Sequence, residues 1–285
     1  MRPADTTSIN YEKWLKKNAY LDSLEIGKIT YLSDGLRVNG MLLKPKKAGK
    51  YPCIIFNRGG NRDFGELDYG TAFWLSAIAR KGYVIIGSQY RGNAGSEGKE
   101  EFGGKDINDV LVLCDVLKEI EGADVKRIGM YGWSRGGMMT YIAITKTNKI
   151  KTAVVGGAIS DAFEGIKDRP GMEDGVYSEL IPDYYANREE ELTKRSAIKW
   201  VDKFSKNVPI LLLHGNSDWR VKSTQSLNLA LEFEKYRIPY RLKIFEGGDH
   251  GISEFRDEVD KDVLNWFDRY LKNEEKLPDM TFHGN

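Results

Sequence analysis

The sequence predicts an α/β fold: a mostly parallel central sheet, helices on both faces, and a small insertion over one edge of the sheet. Three observations predict it. From about residue 51 onward, short apolar runs alternate with helical stretches, the pattern of strands joined by crossover helices. The runs are almost continuously apolar, as strands buried on both faces are. Gly-rich loops follow the runs, and should crowd the carboxyl edge of the sheet, where such folds bind ligands.

In chain order, Tyr11 to Leu21 has the spacing of a short amphipathic helix. "LEIGKITYLS" and "LRVNGMLLKP" alternate on either side of Asp34-Gly35 and predict an antiparallel hairpin. "CIIF" (Cys53–Phe56) is a strand, followed by a helix around Thr71–Arg80. "YVIIGS" leads through the loop "YRGNAGSEG" to a helix from Asp106 to about Ile120. "RIGMYG" runs into a helix from Arg135 to about Thr147, and "TAVVGG" is the next strand. "PILLLHG" precedes a helix over Thr224–Lys235, and "YRLKIF" precedes a last helix from about Glu254 to Leu271. The interval 158–208 is too long for an ordinary loop and is rich in aromatic residues. It predicts a cap-like excursion over the carboxyl edge. The expected organisation is one domain over 1–285, with 1–28 as an N-terminal extension.

Forty-three Lys and Arg against forty-two Asp and Glu leave a net charge of +1, which gives no long-range attraction to nucleic acid or anionic lipid. No apolar run reaches the ~18 residues of a membrane span, and the N-terminus lacks the apolar stretch of a secretory signal. A cytoplasmic location is expected. Cys53 and Cys114 lie in apolar segments and read as free core thiols. No metal-ligand spacing occurs, and neither a metal nor a cofactor is expected. The subunit count stays open, a homodimer included.

"GWSRGG" (Gly132–Gly137) sits between a strand and a helix. A serine hydroxyl needs a base within reach, and the base needs an orienting acid. There are three histidines. His283 is in the C-terminal tail, and His214 ends a strand, where packing is its expected role. His250, in "FEGGDHGI", follows the last strand and can project over the carboxyl edge, so it is the candidate base. Asp218, in "HGNSDWRV", precedes it by one strand and is the candidate acid. Asp249 adjoins the base too closely, and Asp202 lies at the wrong end of the sheet. Ser134, Asp218 and His250 are thus expected at three successive strand ends, in the order that one triad architecture uses. Two donors are needed for an oxyanion. The Arg135 backbone N–H, at a helix N-terminus, is one. The Gly59-Gly60 loop, in "NRGGNRDFG", is the expected source of the other. "YRGNAGSEG" matches neither phosphate-loop pattern and is read as shaping the site. Tyr177, Tyr184 and Tyr185 of the excursion are candidates for lining a substrate pocket.

With "GWSRGG", "HGNSDWRV", "GGDHG", "YRGNAGSEG" and "ITYLSDGLRVNGMLLKP" in order, the chain from about Ile29 to Leu271 resembles the catalytic domain of the prolyl oligopeptidase family of serine peptidases. The resemblance implies the α/β-hydrolase fold, with Ser134 as nucleophile, Asp218 as acid and His250 as base. Some members place a tyrosine donor just before the glycine pair. Here Arg58 stands there, leaving a backbone N–H or the Arg58 guanidinium for that task. The family's usual N-terminal propeller does not fit in the ~50 residues before the first sheet strand, and no paired glutamates stand out to hold a peptide's amino terminus. "REEE" (Arg188–Glu191) reads as a solvated helix face. The expected activity is hydrolysis of a peptide, amide or ester in a small-molecule or short-peptide substrate. A carboxylesterase, and a non-catalytic binding protein on the same fold, are the alternatives.

Overall fold

The computed structural model describes residues 16–284. Residues 11–15 of the helix expected over 11–21 lie outside the described residues, and its end is a 3₁₀ turn at Ala19–Ser23. A single eight-stranded sheet runs in the order β1-β2-β4-β3-β5-β6-β7-β8. Strands β1 (Leu24–Ser33) and β2 (Leu36–Pro45) form the expected hairpin, paired from Ser33↔Leu36 to Leu24↔Pro45. Asp34 and Gly35 both have positive φ, 50° and 79°, as a tight two-residue turn between twisted strands demands. Strand β1 starts inside the 1–28 stretch that the sequence assigned to an extension.

Strands β3 (Tyr51–Asn57), β4 (Val84–Ser88), β5 (Ala123–Trp133), β6 (Ile150–Gly156), β7 (Ile210–Gly215) and β8 (Tyr240–Phe245) are mutually parallel. Period-two alternation sends their side chains to opposite faces. Cys53, Ile55, Val84 and Ile86 enter one core, while Ile54, Phe56 and Ile85 enter the other. The first core is covered by α2 (Ile107–Leu111), α3 (Leu113–Val116), α4 (Arg135–Lys146) and, further along the chain, the helix Thr224–Tyr236. The second is covered by α1 (Tyr69–Ala79) and the C-terminal helix Arg256–Phe267. Both cysteines are buried and free in the first core.

Two helices depart from expectation. The one over 106–120 is interrupted at Val112, whose ψ of −22° is that of a tighter 3₁₀ turn, and it closes with a 3₁₀ turn at Leu117–Glu119. The last one is a 3₁₀ turn, the helix Arg256–Phe267 and a widened turn to Lys272. Within 158–208 the chain forms α5 (Ala162–Asp168), a widened turn at Glu173–Tyr177 and α6 (Arg188–Lys194), which precede α7 (Thr224–Tyr236) and α8 (Arg256–Phe267). Among the described residues no helix is long and apolar enough to cross a membrane.

Candidate active site

After β3 the chain turns to β4 on one side, then crosses back to β5 on the other. The loops leaving β3 and β5 therefore diverge from adjacent strands, which opens the crevice that open α/β sheets use for ligands. Asn57 pairs with Gly132, so Arg58-Gly59 and Trp133-Ser134 emerge side by side. A β-carbon on Gly59 would sit 3.2 Å from that of Ser134.

Ser134 has φ 58° and ψ −124°, a region that L-residues occupy at a cost of about 1–3 kcal/mol. The strain is imposed by close contact between strand and helix. A β-carbon at Gly132 would lie 2.2 Å from the Gly136 carbonyl oxygen, and one at Gly136 would lie 1.9 Å from that of Asn57. The turn ejects Ser134 from the strand and starts α4 immediately behind it. The first backbone N–H groups of that helix, Arg135 included, have no intrahelical acceptor and point toward the crevice end.

Asp218 follows β7 and is buried, while His250 follows β8. His250 Nδ1 lies 2.7 Å from Asp218 Oδ2. Because the carboxylate can only accept, Nδ1 carries the proton, and the neutral ring keeps its lone pair on Nε2. Asp218 Oδ1 accepts from the backbone N–H groups of Arg220 and Val221 at 2.8 and 3.0 Å. His214 Nε2 stands 3.3 Å from Oδ2. Burial pushes the Asp218 carboxyl up, but hydrogen bonds from His214, His250 and the backbone outweigh it. They hold Asp218 below the usual carboxylate range.

The strand ends are not successive, as the sequence had suggested. Strand β6 lies between β5 and β7, and Gly157 just after it faces the His250 ring, where a β-carbon would meet Nδ1 at 3.4 Å. Asp249 turns away: its Oδ1 accepts from Gly251 and Ser253 N–H, both at 2.9 Å. His214 is fully buried, bonded to Ser226 Oγ and the Val221 carbonyl. His283 is exposed, with Nδ1 on the Thr281 carbonyl.

Ser134, His250, Gly59, Gly60 and Arg135 line one cavity of about 320 Å³. The 158–208 excursion contributes Ile159, Arg169, Met172 and Tyr177 to its wall. Tyr184 and Tyr185 are elsewhere. Tyr184 is buried, packs edge-on against Tyr177, and donates to Glu173 at 2.7 Å. Tyr185 is exposed, with its hydroxyl near Asp174. The Arg58 guanidinium is also off the cavity wall. It donates to the carbonyls of Gln89, Arg62 and Phe64 at 3.1 Å each, and so shapes the Gly59-Gly60 loop from behind. Its donors are thus spent on backbone carbonyls. "YRGNAGSEG" acts from beneath: the Tyr90 hydroxyl bonds the Arg58 carbonyl at 3.0 Å.

Sequence reasoning missed three supports. The Trp133 indole N–H donates to the His250 carbonyl at 2.8 Å and ties the histidine loop to the serine turn. The Arg135 side chain is buried, held by Glu100 and by Asp106 at 2.6 Å, and it donates to the Gly60 carbonyl at 3.1 Å. His214 backs Asp218. The acids of "GKEEFGGKD" (Gly98–Asp106), well before the serine motif in the chain, carry no spacing that ties them to Arg135. "REEE" is mixed: Glu189 and Glu190 are exposed, whereas Glu191 pairs with Arg195 at 2.6 Å. Among the described residues no cluster of three or more His, Cys, Asp or Glu is placed to hold a metal ion.

The prolyl oligopeptidase family model matches residues 70–274. An uncharacterized peptidase, YtmA, from Bacillus subtilis is 28% identical over 246 residues, covering 86% of this chain and 92% of its own. A second B. subtilis uncharacterized peptidase, YuxL, is 30% identical, covering 84% of this chain but only 38% of its own. The acylaminoacyl peptidase of Pyrococcus horikoshii superposes with a TM-score of 0.80 at 25% identity, over 96% of this chain and 45% of that one. The chain thus spans nearly all of one relative and under half of the others. The chain belongs to the prolyl oligopeptidase family, and is a serine hydrolase with the α/β-hydrolase fold.

Proposed function

We propose that the chain hydrolyses peptide, amide or ester bonds of short substrates through an acyl-enzyme on Ser134. The observation that carries this reading is the 2.7 Å contact of His250 with buried Asp218, at the cavity that Ser134 also lines. Ser134 Oγ attacks the carbonyl carbon while its proton passes to His250 Nε2. The oxyanion is met by N–H groups of Arg135 and the Gly59-Gly60 loop. The C–N or C–O bond breaks, and Nε2 returns the proton to the leaving amine or alcohol. Water attacks the acyl-enzyme, gives its proton to Nε2, and releases the acid as Ser134 is reprotonated. Asp218 fixes the imidazole tautomer throughout. Residues 158–208 serve as a cap, with Tyr177 in the pocket wall. The names of the peptidase relatives support peptide substrates over simple esters.

The test is a fluorophosphonate probe, followed by paired p-nitrophenyl esters and aminoacyl or peptidyl p-nitroanilides. Labelling at Ser134 with anilide turnover supports the peptidase. Ester turnover alone makes it a carboxylesterase. No labelling of the folded protein makes it a binding protein on this fold.

A further inference from the structure

The cavity has an apolar floor and a cationic mouth. Phe102, Ile159 and Tyr177 line the floor and are buried. Arg169 and Arg220 line the mouth and are half-buried. Among the described residues neither arginine forms an ion pair. Asp168 and Lys222 line the same cavity and pair with each other at 2.5 Å, so their charges offset and the two arginines remain the uncompensated charge. Asp161 caps the start of α5, accepting from the Phe163 N–H at 3.0 Å. The Arg169 guanidinium stacks 5.1 Å from the Trp219 ring centre and bonds the Arg220 carbonyl at 3.4 Å. Arg220 lies 5.5 Å from the centres of both Trp219 and Phe64. Two guanidiniums thus share one indole and face the same opening. The ring faces favour each cation, but they do not cancel the repulsion between the two.

We propose that this mouth binds a carboxylate carried by the substrate, held between Arg169 and Arg220 while an apolar portion fills the floor. This rests on the hydrolase reading of Ser134. Planar guanidinium forks match a carboxylate geometrically, and an anion there relieves the like-charge contact.

The experiment uses size-matched pairs of esters. In the acyl arm, the p-nitrophenyl ester of glutarate monoanion is compared with that of methyl glutarate. In the leaving-group arm, 3-carboxyphenyl butyrate is compared with 3-carbamoylphenyl butyrate. Each is read as kcat/KM or, for an ester not turned over, as competition against fluorophosphonate labelling of Ser134. The expected result is a preference of about tenfold for the anion in one arm, which identifies the part of the substrate that carries it. That preference should fall as salt rises from ~0.01 to ~1 M. Arg169→Gln should lower the anion-to-neutral ratio, and Arg169→Glu should invert it. Equal rates in both arms, or a preference indifferent to salt, overturns the proposal while labelling of Ser134 leaves the hydrolase reading standing. If no probe labels Ser134, the hydrolase reading falls and this one with it.

Discussion

The His250 Nδ1 and Asp218 Oδ2 atoms meet at 2.7 Å across 32 positions of sequence, because β7 and β8 are neighbours and both end at the same edge of the sheet. Besides the imidazole, three groups hold the carboxylate, two of them backbone N–H groups, so its position does not depend on His250. Asp218→Asn keeps the shape but can present an N–H to Nδ1, favouring the tautomer with Nε2 protonated. Turnover of a p-nitrophenyl ester should then fall by roughly 10³–10⁴-fold, chiefly in kcat. A loss below about tenfold would show that Asp218 does not orient the ring.

The same carboxylate sets an acid limit on stability. Its pKa is depressed in the folded state, so the unfolded chain, with an ordinary value near ~3.9, binds the proton more readily. Stability from this group is fully present above the unfolded value and is lost as the pH falls through the folded one. In urea unfolding between pH 3 and 7, the advantage of wild type over Asp218→Asn should be constant at the upper end and shrink below about pH 4. A difference that does not change with pH would contradict the assignment.

Ser134 sits at a backbone angle suited to glycine. Ser134→Ala removes the hydroxyl and leaves the strain, whereas Ser134→Gly removes both. Neither should turn over substrate, and the Gly variant should be more stable than the Ala variant by about 1 kcal/mol after the entropy of glycine is subtracted. Equal unfolding midpoints would mean that the turn is not strained.

The parallel strands are legible in the sequence because burial on both faces demands unbroken apolar runs such as "CIIF" and "ILLLHG". Ser134, Asp218 and His250 can be placed after strands from the sequence because each follows a strand-length run, although "YRLKIF" before His250 is broken by Arg241 and Lys243, as suits an edge strand. What covers the crevice is not legible. Tyr177 lines the cavity while Tyr184 and Tyr185 do not, and nothing in "DYYAN" distinguishes them before the widened turn at Glu173–Tyr177 is known. Arg58 and Arg135 both adjoin glycine motifs, yet the first spends its donors on backbone carbonyls and the second on buried carboxylates. Long-range side-chain pairing of that kind leaves no periodicity to read.

Two glycines separate crowding from helix propensity. Gly136→Ala forces a β-carbon to within 1.9 Å of the Asn57 carbonyl oxygen, where backbone must move. It should cost about 3 kcal/mol or more in unfolding free energy and displace Ser134. Gly165→Ala, inside α5, meets nothing within 4 Å and should stabilise by about 0.5–1 kcal/mol. Similar effects for both would mean that the serine turn is looser than its geometry implies.

The Arg135 side chain links three parts of the site: the serine turn that carries it, the Gly60 carbonyl of the facing loop, and the acids Glu100 and Asp106 below. All three ionic groups are buried, so removing the cation strands two carboxylates. Arg135→Met should therefore destabilise by about 3–5 kcal/mol. Asp106→Asn in the same chain should recover part of that loss, because one stranded charge is gone. In a double-mutant cycle the two changes should couple by about 0.5–3 kcal/mol, and additivity would show that the pair does not act as a unit. Catalysis supplies an independent readout. If Arg135 only supports the fold, the folded variant at low temperature keeps its kcat. If it also sets the Gly60 loop against Ser134, kcat falls with KM little changed, since an oxyanion donor acts in the transition state more than on bound substrate. We expect the second outcome.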